Sequence, residues 1–312
     1  MITKTESLIL SADKKTPLRI VTWLDEKTKP SAIVQIVHGM TEYVDRYEGF
    51  AQFLAEQGYA VVGHDHLAHG KSVLTQEQWG VLSLKEGKEH LIADVKAVCA
   101  DARIRFGEDL PCFMFAHSMG SFIARCIAAR GDLPLTGLVL SGTGNQPPAV
   151  LAGGKFLARL IKMLSGDAYR STIVYNMAQP PLNKPFEPNN RTAFDWLTRD
   201  EQIVDAYTQN PACTFHFSVG AYYSLFSLLQ EAGKTKAYQS TPKDLPILLV
   251  SGGNDPVGSM GKEVEVTYNG YLAAGLKDVT MKLYPEARHE ILNELNKEEV
   301  SEDILAWIKQ HL

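Results

Sequence analysis

The stretch Phe115-Ala116-His117-Ser118-Met119-Gly120-Ser121 constrains the fold of this chain more than any other. An apolar run of strand length, 110–115, precedes it, and apolar residues at helical spacing follow it. Small-x-Ser-x-Gly between a buried strand and a helix predicts a sharp turn that lifts the Ser118 hydroxyl out of the sheet. The free N–H groups of the helix start would then lie behind that hydroxyl. Ser118 is therefore a candidate nucleophile, although serine also favours an ordinary helix N-cap.

Apolar runs of strand length alternate with helical patterns through the first 145 residues. Strands are predicted at 17–23, 32–37, 59–62 and 137–140. A helix that ends near Gly58 follows the strand 32–37, and a long helix covers 87–106. The alternation returns late, with strands at 246–250 and 279–283 and helices at 261–274 and 300–311. This pattern predicts an α/β fold, with a mostly parallel central sheet and helices on both faces.

Between these two halves the alternation stops. Residues 146–240 contain prolines and helical stretches but no convincing strand. We predict a core domain made of 1–145 and 241–312, with 146–240 inserted as a helical cap or lid. The first cap helix, 155–164, has Phe156, Leu157, Leu160, Ile161 and Leu164 along one side. That side either packs on the domain below or makes transient contact with a membrane or micelle.

Composition excludes several classes of protein. The formal charge of −5 gives no basic surface for nucleic acid, so no nucleic-acid partner is expected. No run of 18 apolar residues and no apolar leader occurs, and the four cysteines lack metal-type spacing. We expect a cytoplasmic protein with reduced thiols, and the oligomeric state stays open.

Partners for a nucleophilic Ser118 follow in the order that this topology requires. Asp255 lies just after the strand 246–250, and His289 just after the strand 279–283. An acyl-transferring serine needs a base that takes its proton and a carboxylate that orients this base. We predict His289 as the general base and Asp255 as the orienting acid.

An oxyanion hole needs two backbone donors. The amide of Met119, directly after the serine, is one candidate. His38-Gly39-Met40 follows the strand 32–37, so the Met40 amide is the second candidate.

Five stretches resemble motifs of the α/β-hydrolase superfamily, and within it of the monoacylglycerol lipase and lysophospholipase group: 38–40, 63–72, 116–120, 253–256 and 288–290. Residues 196–200 are similar to cap segments of that group. The resemblance implies a serine hydrolase with Ser118, Asp255 and His289 as its triad, and with Met40 and Met119 as its oxyanion donors. Ala116 departs from the usual glycine, but alanine is small enough for the turn.

The resemblance implies ester hydrolysis through an acyl-enzyme, with a monoacylglycerol, a lysophospholipid or another small acyl ester as substrate. It implies no cofactor and no metal. Two alternatives stay open: a small-ester carboxylesterase, and an aminopeptidase of the proline-iminopeptidase type. The peptidase would need an anionic site for a free amine, for which the cap offers Glu187, Asp195, Asp200, Glu201 and Asp205. Dehalogenation or epoxide opening would need an aspartate in place of Ser118.

The segment 63–72 carries two misleading patterns. His64, His66 and His69 could suggest zinc, but Ala68 stands where a metallohydrolase motif has aspartate. Gly70-Lys71-Ser72 resembles the end of a P-loop, but Asp65 occupies the position of its first glycine. We expect this segment to be a structural loop near the site, with Asp65 and Ser72 bonded to backbone groups.

Overall fold

One sheet of eight strands runs through the computed structural model, which describes residues 1–312. In chain order the strands are β1 (Ile2–Leu10), β2 (Pro17–Asp25), β3 (Ile33–Val37), β4 (Ala60–His64), β5 (Cys112–His117), β6 (Gly137–Ser141), β7 (Ile247–Gly252) and β8 (Val279–Tyr284). Their spatial order is β1-β2-β4-β3-β5-β6-β7-β8. Strands β3 to β8 pair in parallel, whereas β2 is antiparallel to both β1 and β4. The predicted mostly parallel sheet is confirmed.

Eleven α-helices surround the sheet. They are α1 (Glu48–Glu56), α2 (Gly87–Phe106), α3 (Met119–Arg130), α4 (Pro148–Ser165), α5 (Thr172–Ala178), α6 (Glu201–Gln209), α7 (Pro211–Thr214), α8 (Val219–Ala232), α9 (Thr235–Ser240), α10 (Lys262–Ala273) and α11 (Lys297–Gln310). Short 3-10 helices cover Val44–Tyr47, Gln76–Gln78, Pro180–Phe186 and Ile291–Asn293. None of the helices has the length and hydropathy that a membrane-spanning segment needs.

Alternate side chains of each central strand face opposite layers of helices, as the pleat requires. In β5, Phe113 and Phe115 pack in the cluster that holds α1 and α11. Met114 and Ala116 pack in the cluster that holds α2, α3 and α10. Because both faces are covered, the strands are apolar throughout rather than alternating in polarity. The carboxyl ends of the parallel strands therefore meet at one edge of a rigid sheet.

Residues 146–240 hold six α-helices, one 3-10 helix and no strand. The most extensive packing among these helices is between α4 and α8, and α8 also packs on α3. Tyr222 and Leu228 of α8 belong to the same core cluster as β5 and α3. Arg125 of α3 is buried and donates to the carbonyl oxygens of Gly144, just before this segment, and of Ala232 at the end of α8, which ties α8 to the core. The division into a core domain and a cap stays a proposal.

The structure corrects the predicted first helix of this segment. Helix α4 begins at Pro148 rather than at residue 155, since proline is tolerated in the first turn of a helix. Its predicted apolar side is divided: Leu157 and Ile161 pack on the core, whereas Phe156, Leu160 and Leu164 are exposed.

Strand β1 was missing from the predicted elements. Its sequence, ITKTESLIL, is polar from Thr3 to Ser7 and mostly exposed because β1 lies at the edge of the sheet. The apolar run that ends it, Leu8 to Leu10, is shorter than the runs that predict a buried strand.

Candidate active site

Ser118 lies in the turn between β5 and α3, with φ 52° and ψ −120°. This positive φ is strained for a residue with a side chain, and it persists because the surroundings fix it. The Ser118 amide donates to the Ser141 carbonyl oxygen at 2.9 Å, and its carbonyl accepts from the Ser121 hydroxyl at 2.6 Å. The neighbouring Ala116 is fully buried in β5, so alanine fits where the motif usually has glycine. The turn has the geometry of a nucleophile elbow.

Asp255 and His289 follow β7 and β8, two neighbouring strands of the sheet. Both side chains are buried, and His289 Nδ1 lies 2.9 Å from Asp255 Oδ2. Asp255 Oδ2 also accepts from the Ser251 hydroxyl at 3.1 Å, and Oδ1 accepts from the Val257 amide at 2.8 Å. These donors fix the carboxylate and assign the proton of His289 to Nδ1. Nε2 is then the nitrogen available to accept a proton.

The electrostatics of the pair follow from its burial. Burial alone would raise the pKa of Asp255, but the His289 charge and hydrogen bond lower it below the usual value. Burial opposes the charged form of His289, but Asp255 outweighs it and raises the pKa of His289, with smaller contributions from Glu290 and Glu42. Each group therefore stabilises the charged form of the other.

Ser118 and His289 line one cavity of about 580 Å³, while Asp255 lies behind His289. The Ser118 hydroxyl forms no hydrogen bond within the chain, so its link to His289 Nε2 is open in this conformation. Such links are often loose before substrate binds. The structure thus brings the three residues together and leaves one contact to form.

Met40 and Met119 lie on either side of Ser118 and line the same cavity. Neither backbone amide donates a hydrogen bond within the chain. The Met119 amide is the first of α3, so it also has the positive potential of the helix start. Two free donors beside a serine hydroxyl are the arrangement that an oxyanion hole needs.

The cavity is apolar over much of its wall, with 16 hydrophobic residues among the 31 that line it. Leu225 and Phe226 of α8 line it, whereas the neighbouring Tyr222 and Tyr223 do not. The remaining apolar wall is formed by side chains of the core and of the inserted helices, including Phe122, Leu151, Met177, Leu182, Trp196, Leu197, Leu229 and Val257. A chamber of this size and polarity suits an acyl chain.

None of the five acidic residues that could serve a peptidase lines the cavity: Glu187, Asp195, Asp200, Glu201 and Asp205. The acidic residues that do line it are Glu42 and Glu290. Both are bound to Arg46, so neither is free to bind a substrate ammonium group.

The histidines of 63–72 are buried, and the group of His, Cys, Asp and Glu needed to hold a metal ion is absent. His38 Nε2 accepts from the His66 amide at 2.9 Å, and His66 Nε2 lies 3.0 Å from the His38 carbonyl oxygen. These bonds brace the turn that carries Gly39 and Met40. Asp65 accepts from the amides of Val44 and Lys71, and Ser72 accepts from the Arg19 amide, which confirms the structural interpretation of this loop.

Sequence reasoning missed one group of residues at the site. Glu42, Arg46 and Glu290 form a buried ion network next to His289. Only the i,i+4 spacing of Glu42 and Arg46 could have suggested it, and that spacing is typical of exposed helix pairs.

Comparisons with known proteins agree with this geometry. A family described as serine aminopeptidase, S33, matches residues 28–296. The chain belongs to this family. It is thereby an α/β-hydrolase of the group that includes the monoacylglycerol lipases, as the sequence motifs predicted.

Two curated relatives are similar over nearly all of their length. A monoacylglycerol lipase from Mycolicibacterium smegmatis is 26% identical over 299 residues, which cover 91% of this chain and 90% of the lipase. A phospholipase from Bacillus subtilis is 25% identical over 93% of this chain and 100% of its own. The chain also matches 30% of a longer abhydrolase domain-containing protein from Dictyostelium discoideum at 26% identity.

Among solved structures, a carboxyl esterase from Bacillus coagulans in complex with glycerol superimposes with a TM-score of 0.90. It is 28% identical, and the match covers 99% of both chains. A match of that extent includes residues 146–240 as well as the sheet.

Proposed function

We propose that this S33 family member is a serine hydrolase that cleaves carboxylic esters of lipids, of the monoacylglycerol or lysophospholipid type. The observation that carries the proposal is the 2.9 Å bond between Asp255 and His289 beside a strained Ser118 in a largely apolar cavity. The lipase, phospholipase and esterase relatives support the same chemistry.

In the proposed mechanism, His289 Nε2 takes the Ser118 proton as the oxygen attacks the ester carbonyl. The amides of Met40 and Met119 donate to the oxyanion that forms. His289 then returns the proton to the departing alcohol, which leaves Ser118 acylated. Water, deprotonated by His289, releases the fatty acid and restores the serine. Asp255 holds Nδ1–H throughout and stabilises the imidazolium.

An ester substrate is favoured over an aminoacyl amide by the charges around the cavity. A peptidase of this family would need a free carboxylate for the substrate ammonium group. The oxygens of Glu42 and Glu290 are instead occupied by hydrogen bonds from Arg46, Gly39, Tyr47 and Asn293, and the acidic residues of 187–205 lie elsewhere. The apolar wall formed by Leu225, Phe226 and Leu229 fits an acyl chain.

We further propose that residues 146–240 act as a cap that docks on a lipid surface. Helix α4 exposes Phe156, Leu160, Met163 and Leu164 at i, i+4, i+7 and i+8, which is one face of the helix. Val150 of α4 and Met177 of α5 are also exposed and line the cavity, so the apolar face continues to its mouth. A monoacylglycerol in a membrane or micelle could then enter without crossing water.

The first experiment measures kcat/KM for monoacylglycerols of increasing chain length, for lysophosphatidylcholine and for matched short p-nitrophenyl esters. Ser118→Ala is the blank. A maximum at medium or long chains supports the lipid esterase, and activity confined to acetate and butyrate would assign a small-ester hydrolase instead. Hydrolysis of aminoacyl amides, with none of esters, would overturn the proposal.

Docking is tested with vesicles of a neutral phospholipid that contain monoacylglycerol. Leu164→Glu should reduce co-sedimentation with these vesicles and activity on them, while leaving activity on soluble short esters unchanged. Ile104→Glu is the matched control, since Ile104 is 74% exposed on α2 and lines neither principal cavity. Equal binding to vesicles by the wild type, Leu164→Glu and Ile104→Glu would exclude α4 as the docking face.

A further inference from the structure

One guanidinium connects the two loops that flank the reacting atoms. Arg46 donates to both oxygens of Glu290, at 2.5 and 2.7 Å, and to Glu42 Oε2 at 3.1 Å. Its side chain is 11% exposed, and both carboxylates are buried. Glu290 directly follows His289, and Glu42 lies in the turn that carries Met40. Arg46 thus bridges the histidine loop and the oxyanion turn.

The Glu42 end of the network is bonded to the oxyanion turn itself. Glu42 Oε1 accepts a hydrogen bond from the Gly39 amide, and the Tyr47 hydroxyl donates to the same oxygen at 2.8 Å. A Cβ on Gly39 would meet Glu42 Oε1 at 2.7 Å and Ser118 Cβ at 3.0 Å, so the turn is held tightly between them. Because Gly39 precedes Met40, the carboxylate fixes the peptide next to the proposed oxyanion donor.

The Glu290 end is equally constrained. Its Oε2 also accepts from the Asn293 amide group at 3.0 Å, and its backbone amide donates to the Leu197 carbonyl oxygen at 2.7 Å. The Arg46 guanidinium lies 4.9 Å from the centroid of the Tyr207 ring, whose hydroxyl donates to the Thr41 carbonyl oxygen. Arg46 is therefore enclosed by groups from both loops and from α6.

We propose that Arg46, by binding Glu42 and Glu290 together, is a positioning residue that sets the oxyanion turn in register with His289. This proposal rests on the proposed function, because it assigns Met40 and His289 to one reaction. A misplacement of about 1 Å in such a site costs on the order of 10²-fold in rate. Arg46 itself does not touch the reacting atoms.

The charge on Glu42 gives a reason why the arginine is needed. Every group bonded to Glu42 is a donor, so the bonds require an ionised carboxylate. Burial nevertheless raises the pKa of Glu42 to about 7, against the opposing charge of Arg46 and with the repulsion of Glu290 added. Without Arg46, the pKa of Glu42 would rise further, and a protonated carboxyl group would lose one of its accepting oxygens.

Four variants test the proposal on one soluble p-nitrophenyl ester. Glu42→Gln keeps an oxygen for Gly39 and Tyr47 but turns an amide N–H toward Arg46, which breaks only that link. Arg46→Met removes the bridge, and Arg46→Lys restores one charge without the bidentate bond. Arg130→Met is the matched control, because Arg130 likewise bridges two carboxylates, Glu89 and Glu231, away from the cavity.

We expect Glu42→Gln to lower kcat about 10-fold and Arg46→Met about 10²-fold, with KM changed by less than about 3-fold. Arg46→Lys should recover part of the loss, and Arg130→Met should leave kcat unchanged. If Arg46→Met does not fold, Glu42→Gln still decides the question. A kcat within about 2-fold of the wild type for Glu42→Gln would overturn the proposal.

The pH profile separates positioning from general damage. The charged and titratable groups around His289 are Asp255, Glu290, Glu42, Arg46 and His117. The acid limb of kcat/KM should move to lower pH in Glu42→Gln, because this variant loses a negative charge that raises the pKa of His289. A loss of kcat with an unmoved acid limb in Glu42→Gln would assign a merely structural role.

The Ser118→Ala protein distinguishes the two proposals. If it retains ester hydrolysis, the proposed function fails. If it is inactive while the Arg46 variants match the wild type, only the positioning role fails.

Discussion

Gly120 lies so close to Val37 that a Cβ on the glycine would come within 2.2 Å of the Val37 carbonyl oxygen. The first turn of α3 therefore packs directly on the end of β3, and this contact sets how far Ser118 projects from the sheet. Gly120, the glycine of the Ser-x-Gly motif, is required by the close approach of the Val37 backbone rather than by its own dihedral angles.

Gly120→Ala should lower the free energy of unfolding by about 2–3 kcal/mol, because a rigid backbone oxygen cannot give way to the added methyl group. Ester hydrolysis should fall with it, since α3 must shift. Gly153→Ala in α4 is the control: no atom lies within 4 Å of its Cβ, so it should stabilise the protein by about 0.5–1 kcal/mol. Urea unfolding of both variants measures the difference, and equal effects would contradict this account.

Ser118→Gly should be more stable than Ser118→Ala, by about 1 kcal/mol. Glycine adopts a φ of 52° without the strain that serine or alanine pays there. Both variants lack the hydroxyl and should be inactive, so stability is read by thermal unfolding alone. A melting temperature for the glycine variant at or below that of the alanine variant would mean that the turn is unstrained.

Activity should require the neutral form of His289. Because Asp255 raises the pKa of His289 above 6.5, kcat/KM should rise with pH along an acid limb centred above 6.5. Asp255→Asn should lower kcat by about 10⁴-fold. The acid limb of the remaining activity should move to lower pH, because the negative charge that raises the pKa of His289 is removed. Initial rates from pH 5 to 9 measure both effects. A loss of only a few-fold would point to another acid, and Asp65 would be tested next.

The buried histidines should make the protein acid-sensitive. Burial lowers the pKa of His64 to about 3 and that of His69 to about 4. At mildly acidic pH these two histidines therefore stay neutral in the folded protein, whereas they bind protons in the unfolded chain. Stability from these groups is complete above pH 6.5 and is lost as the pH falls below that value. At pH 5, one such histidine lowers the free energy of unfolding by about 2 kcal/mol relative to its value above pH 6.5.

His64→Leu isolates this effect, since neither ring nitrogen of His64 has a hydrogen-bond partner. The variant should match the wild type at pH 8 and exceed its free energy of unfolding at pH 5 by about 2 kcal/mol. Urea unfolding at the two pH values gives the comparison. An unchanged difference between wild type and variant from pH 8 to pH 5 would exclude His64 as a source of acid sensitivity.

Chelation should leave activity unchanged. His38 and His66 are occupied by backbone bonds, and the histidines of 63–72 do not converge with other ligands on one point. Initial rates are compared before and after dialysis against EDTA. Inactivation that zinc reverses would restore the metal interpretation of His64, His66 and His69.

The sequence predicted the core elements well because their signals are local. Helix α2 was predicted with the bounds that the structure has, and β5 through β8 were placed within two residues. Ser118, Asp255 and His289 were proposed together because each follows a predicted strand in the order that this topology requires. Such strands are apolar for a simple reason, since helices cover both faces of the sheet.

The residues that were missed depend on contacts distant in sequence. Glu290 meets Arg46 across 244 positions, and no local pattern connects them. The start of α4 was hidden by Gly153 and Gly154, of which Gly154 gives room to the ring of Phe226. In both cases the contact that explains the residue is made with another element, Arg46 for Glu290 and Phe226 for Gly154. Tertiary packing therefore overrides local preference.

The packing of α8 limits how this fold can diversify. Because α8 packs on α2 and α3 in the same core cluster as β5, removing the whole of 146–240 would uncover those two helices. Helix α4 packs mainly on α8, whereas the stretch after α5 is bonded to the core through Leu197, Arg199 and Tyr207. Exchange of α4 and α5 for the corresponding helices of another family member is therefore the change that the fold would tolerate. New acyl specificities would arise there, while α8 is inherited with the scaffold.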